Sequence, residues 1–156
     1  NINFVEMINQ TTGEFTEKFE KRNLQIVLNV PEKPVMVRTD GRRMWRVIEN
    51  IYNNAAKYAL EGTRVYADLI EKEHTVEFSL KNISEQPLNI SADELTERFI
   101  RGDVSRSTEG SGLGLSIAKN LTELQGGKFE LYLDGDLFKV TIVFPKAVVG
   151  QSVTKS

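Results

Sequence analysis

Three polar residues draw notice by their spacing. Asn50, Asn54 and Lys57 recur at intervals of four and three, so at about 100° per residue they share roughly a 60° arc of one helix face. Arg43 and Arg46 continue this polar stripe, while Met44, Ile48, Ile51, Ala55 and Ala59 fill the opposite side and are expected to pack on a sheet. Asparagine inside a helix costs propensity relative to alanine, so two of them beside a lysine need a reason. Two readings stand open. One is a solvated polar face. The other is an oxyanion and metal site, with amide oxygens as neutral hard ligands for Mg²⁺ and the lysine neutralising phosphate charge.

A second group lies sixty residues on: Gly110, Ser111, Gly112, Leu113, Gly114 and Leu115, running straight into a helical pattern. Glycines let backbone N–H groups approach an oxyanion, and a helix N-terminus adds about half a positive charge, so the segment is built to cradle phosphate. No Lys-Ser/Thr pair follows, which excludes P-loop spacing, and it is not a strand-first dinucleotide fingerprint. By itself, such a run is often only a turn.

These groups need elements to hold them. The apolar residues Phe4, Val5, Ile8, Phe15 and Phe19 predict an amphipathic helix over 2–22. Alternation predicts a strand over 24–30, a proline-bracketed turn, and a short strand over 35–38. Asp40 is the expected N-cap of a long helix reaching about residue 60, stopped by Gly62. A hairpin is predicted over 64–70 and 75–80, then a short helix starting near Ser91, then a mobile loop over 101–112. A helix over 112–125, with Leu113, Ile117, Leu121 and Leu124 on one stripe, ends at Gly126 and Gly127. A closing hairpin over 128–133 and 137–144 follows. The order predicts an α+β fold: a two-layer sandwich in which a mixed, mostly antiparallel sheet of about five strands packs on about three helices. Residues 1–146 are read as one domain and 147–156 as a flexible tail.

Composition narrows the function classes. At 156 residues and 40% hydrophobic, the chain suits one core rather than two. It has no cysteine and one histidine, which excludes disulfides, thiolate metal sites and multi-histidine sites. Twenty basic against 22 acidic residues leave a formal net charge of −2 and no global footprint for nucleic acid. No apolar run approaches the roughly 20 residues of a membrane span. The start at Asn1, without methionine, is expected to follow upstream polypeptide.

Together, in this order and separation, the two groups resemble the ATP-binding superfamily that joins gyrase, a heat-shock chaperone, histidine kinases and a mismatch-repair protein. The resemblance covers nearly the whole chain. NIYNNAAKY from Asn50 to Tyr58 looks like the kinase N box, Glu97-Arg98-Phe99 like the F box, and GSGLGL from Gly110 to Leu115 like the G2 box. The resemblance implies that ATP and Mg²⁺ are the ligands, with Asn54 on the metal and Asn50 supporting metal or phosphate. It further implies that Lys57 reaches phosphate, that Tyr58 packs near the adenine, and that the F-box Phe99 belongs to the nucleotide site. The lid corresponds to about residues 101–109, which places Arg101 and Arg106 near the phosphates and Arg106 at the γ-phosphate. One box departs from the pattern: Asn82 stands where the adenine-reading aspartate is usual, and Ser84 where the first glycine is. An asparagine oxygen can still accept a hydrogen bond from the adenine amine.

Hydrolytic members of the superfamily carry glutamate at the first N-box position. Here it is Asn50, and an amide takes no proton at neutral pH, so transfer to another acceptor is preferred over hydrolysis. Glu49 lies about 100° round the helix, off that face. The implied acceptor is a histidine on a separate helical dimerisation domain. His74 lies in a predicted turn without the His-Glu context of a phosphoacceptor, so the chain is expected to bind MgATP without phosphorylating itself, and to be a monomer. The resemblance also implies a response regulator as downstream partner, and a cytoplasmic domain of a membrane-anchored sensor kinase. Two other functions remain open: a degenerate nucleotide-binding regulatory module, and an anti-sigma-type serine kinase.

Overall fold

Alternation along the strands Arg64–Glu71, Lys128–Asp134 and Leu137–Pro145 sorts the main sheet into an inward and an outward face. In the computed structural model, which describes residues 1–85 and 111–147, the elements run β1 (Ile2–Asn3), α1 (Phe4–Lys21), β2 (Gln25–Asn29), β3 (Met36–Val37), α2 (Gly41–Tyr58), β4 (Arg64–Glu71), β5 (Thr75–Ile83), α3 (Ser111–Leu124), β6 (Lys128–Asp134) and β7 (Leu137–Pro145). Five strands form the main sheet in the order β2-β4-β5-β7-β6. The β2–β4 pair is parallel and every other pair antiparallel. This is the mixed α+β sandwich the sequence predicts. The inward rows are apolar: Val65, Ala67 and Leu69 on β4, Val76, Phe78 and Leu80 on β5, and Phe138, Val140, Ile142 and Phe144 on β7 are all buried. Asn82 closes the β5 row as its one polar member, only 4% exposed.

Two N-terminal boundaries differ from the prediction. Residues 2–3 form a strand paired with β3, and Asn3 is the N-cap of α1, accepting from Glu6 N at 3.3 Å. Ile2 satisfies the helical periodicity yet precedes the cap, and pairing with Val37 wins. The strand predicted over 35–38 thus belongs to a separate two-stranded sheet. At its other end α1 closes on Asn23 in the left-handed region (φ 57°), with Asn23 N bonded to Glu20 O and Leu24 N to Phe19 O.

An aromatic column joins the layers. Tyr52 of α2 is fully buried, stacks at 6.3 Å on Phe78 of the sheet, lies 5.4 Å from Phe15 of α1, and shares a 2.7 Å hydrogen bond with Thr12. Burial pushes its phenol up to about 12, the Thr12 bond offsetting part of the rise.

Helix α3 packs beside α2 and runs antiparallel to it. Gln125, just past the end of α3, accepts from Asp40 N at 2.9 Å, and Asp40 is itself the N-cap of α2, taking Arg43 N at 3.1 Å. Among the described side chains of α3, Leu115, Ser116, Ala118 and Thr122 are buried, while Leu124 is 65% exposed. Of the predicted stripe, Leu121 packs against the core as expected and Leu124 does not, and the buried side is shared by Leu115 with the smaller Ser116, Ala118 and Thr122. The predicted helix near Ser91, most of the predicted loop over 101–112 and the tail beyond 147 lie outside the described residues.

Candidate nucleotide site

The predicted N-box residues do lie on one helix, with its apolar side spent on the core. Met44, Ile48, Ile51, Ala55 and Ala59 are buried as expected, and Arg43, Arg46 and Lys57 are exposed. Asn50 and Asn54 are not a solvated face. Asn54 is 8% exposed, Asn50 is half-buried, and the Asn50 Nδ2 has no hydrogen-bond partner among the described residues. Asn82, at the end of β5, is only 4% exposed. A buried amide left unmatched costs about 1–3 kcal/mol, so Asn50 marks its part of the α2 face as a polar site whose partner is something other than the described residues. Neutral carboxamides supply both hard oxygen donors for a cation such as Mg²⁺ and N–H donors for phosphate, and which end faces the site is interchangeable by a flip.

The topology gathers them. The last turn of α2 and the end of β5 are joined by Leu60 N to Ile83 O at 2.7 Å, Glu85 N to Tyr58 O at 2.8 Å, and the Ala59–Ser84 bridge. This brings the N box beside the stretch from Asn82 to Ser84. The α3 N-terminus reaches the same end: Ser111 lies as many residues before Gln125 as Asn54 lies after Asp40. At equal rise in antiparallel helices, the start of α3 stands level with Asn54. Ser111, Gly112, Leu113 and Gly114 form its first turn, whose N–H groups have no intrahelical acceptor. Leu115 is 1% exposed within the core, so any part it takes in the site is through its backbone. Tyr58 is half-buried. Phe99, Arg101, Arg106 and Gly110 lie outside the described residues.

The end of α2 also departs from prediction. The helix stops at Tyr58, with Ala59 extended (φ −69°, ψ 144°), and Gly62, at φ +85°, serves the turn into β4. Each of its last four carbonyls has a partner. Ala55 O accepts from Ala59 N, Tyr58 O from Glu85 N, and Ala56 O and Lys57 O from Arg22 Nη1 at 2.9 and 3.0 Å. Arg22 Nη2 continues to Glu85 Oε1 at 2.9 Å. Sequence reading misses Arg22 because each of these side-chain partners is more than thirty positions away.

Comparison with known proteins matches this arrangement. Residues 39–148 fit the family described as histidine kinase-, DNA gyrase B- and HSP90-like ATPase. The sensor protein KdpD of Clostridium acetobutylicum is 33% identical over 88% of this chain, which spans 16% of that protein. The sensor protein VanSC of Enterococcus gallinarum is 30% identical over 90% of this chain, which spans 39% of it. In three dimensions, the nucleotide-free catalytic domain of the histidine kinase ThkA superposes with a TM-score of 0.80 at 25% identity, covering 93% of each chain. With its N-box helix, its helix-start glycines and its mixed sheet, the chain belongs to the histidine kinase-, DNA gyrase B- and HSP90-like ATPase family, in the form that sensor histidine kinases carry as their catalytic, ATP-binding domain.

Proposed function

We propose that this domain binds MgATP and donates the γ-phosphoryl group to a histidine on a separate dimerisation domain of a two-component sensor kinase, which then passes it to a response regulator. The observation that carries the reading is the buried amide of Asn50, unmatched among the described residues, on the same α2 face as the buried Asn54. In this reading Asn54 holds Mg²⁺, Asn50 supports metal or phosphate, Lys57 neutralises phosphate, and the α3 amides cradle the phosphate chain. The ion, when bound with nucleotide, offsets the charge of the transferring group. Tyr58 and Asn82 face the adenine, with Phe99, Arg101 and Arg106 completing the site from outside the described residues. Transfer breaks the bond from the γ-phosphorus to the bridging oxygen and forms a bond to an imidazole nitrogen, leaving ADP. Asn50 offers no base, which supports an acceptor other than water.

The whole kinase is read as membrane-anchored with this domain in the cytoplasm. No helix among the described residues is long and apolar enough to cross a membrane. Calorimetric titration tests the binding half: saturable MgATP binding that Asn54→Ala weakens at least about tenfold, the usual scale for losing a metal-site residue. Equal affinity in the two proteins removes Asn54 from the site. Transfer is tested by adding the histidine-bearing domain in trans and following labelled phosphate; binding without transfer favours a nucleotide-binding regulatory module.

A further inference from the structure

The guanidinium of Arg22 touches three acceptors on two elements. It supplies the C-terminal cap of α2 at Ala56 O and Lys57 O, and it holds the carboxylate of Glu85, whose own N–H bonds Tyr58 O. Lys57 and Tyr58 are the last two residues of α2, and Glu85 directly follows the stretch from Asn82 to Ser84. Asn23 in the left-handed region closes α1 one residue later and fixes where Arg22 leaves it. A planar fork suits this three-way grip, whereas a lysine presents a single ammonium point.

We propose that Arg22 is a positioning residue for the base-side half of the nucleotide site, setting where the backbone at Tyr58 stands relative to Asn82 and Ser84. The proposal rests on the reading that this site binds MgATP. It differs from a general packing role because the phosphate side, built on the start of α3 and on Asn54, has no bond to Arg22 among the described residues; the Arg22 side chain goes to Ala56 O, Lys57 O and Glu85. Loss of Arg22 therefore weakens recognition of the base and leaves recognition of the phosphate chain.

The test compares MgATP with magnesium tripolyphosphate, the latter read by its displacement of ATP, on the wild-type chain, Arg22→Gln and Arg22→Lys. Arg22→Gln is expected to weaken ATP about tenfold or more, the scale of one lost charge-assisted hydrogen bond, with tripolyphosphate unchanged. Arg22→Lys falls between. Should Arg22→Gln fail to fold, Glu85→Gln leaves the carbonyl cap in place and is expected to shift the same ratio in the same direction. Unchanged ATP affinity in a folded Arg22→Gln, or equal losses for both ligands, overturns the proposal. A wild-type chain that binds neither ligand overturns the nucleotide reading and this proposal with it; wild-type binding with indifferent Arg22 variants overturns the proposal alone.

Discussion

Replacing Tyr52 by phenylalanine isolates the contact that ties α1 to the N-box helix. Tyr52 is fully buried and among the described residues its hydroxyl has one hydrogen bond, 2.7 Å to Thr12. Near neutral pH, Tyr52→Phe removes that bond and is expected to cost about 1 kcal/mol, the net worth of a buried hydrogen bond. The sharper signature lies in alkali. The phenol is raised from 10.0 to about 12, first by burial and in the opposite sense by the Thr12 bond. Between these values the unfolded chain has released the Tyr52 proton and the native protein has kept it, so stability falls as pH rises. Two units correspond to about 2.7 kcal/mol, fully present below about pH 10 and lost by about pH 12. Other tyrosines and lysines titrate in the same range, and the phenylalanine variant subtracts them. Urea unfolding of both proteins from about pH 9 to about pH 12 should thus show the wild-type advantage shrinking and then reversing sign. A difference that stays flat across that window, or grows with pH, refutes the burial argument.

Other outcomes are as concrete. Asn82→Asp restores the usual acceptor of the adenine reader and is expected to raise discrimination of ATP over GTP in calorimetric titration; equal discrimination removes Asn82 from the base. Gly127→Ala places a Cβ 2.7 Å from Phe144 Cε1 and 2.9 Å from the backbone oxygen of Val143. The ring can turn but the carbonyl of a paired strand cannot, so a loss of about 1–3 kcal/mol is expected from the urea midpoint, against little change if β6 shifts freely.

Periodicity made α2 legible in detail. Asp40 has the right side chain to cap, the apolar positions recur at helical spacing, and both features act locally, so the buried side and the N-cap fall where predicted. The same local logic misplaced its other end. Gly62 is a good stop signal, but the carbonyls of α2 are claimed earlier by Arg22 and by Glu85, partners that no window around residue 58 contains. Asn82 was found through its box rather than its environment. That it terminates an otherwise apolar inward row follows only from the register of β5 against β7, where it faces Phe138. The parallel pairing of β2 with β4 was equally hidden, since α2 must cross between them before the strands can meet. For α3 the expected stripe holds at Leu121 and fails at Leu124, the last residue of the helix, where spacing alone does not say which neighbours remain in reach.

The strand order leaves β2 and β6 as the two rims of the main sheet, and each rim discourages pairing with another chain in its own way. On β2 the exposed edge is five residues long, and Pro31, without an N–H to offer, follows within two positions of its end. On β6 the outward row reads Lys128, Glu130, Tyr132 and Asp134, with charge at three of its four places. A strand approaching either rim meets a truncated ladder or desolvated charge, so the open sheet is protected from growing by edge-to-edge addition while its inner face remains committed to the helices that carry the site.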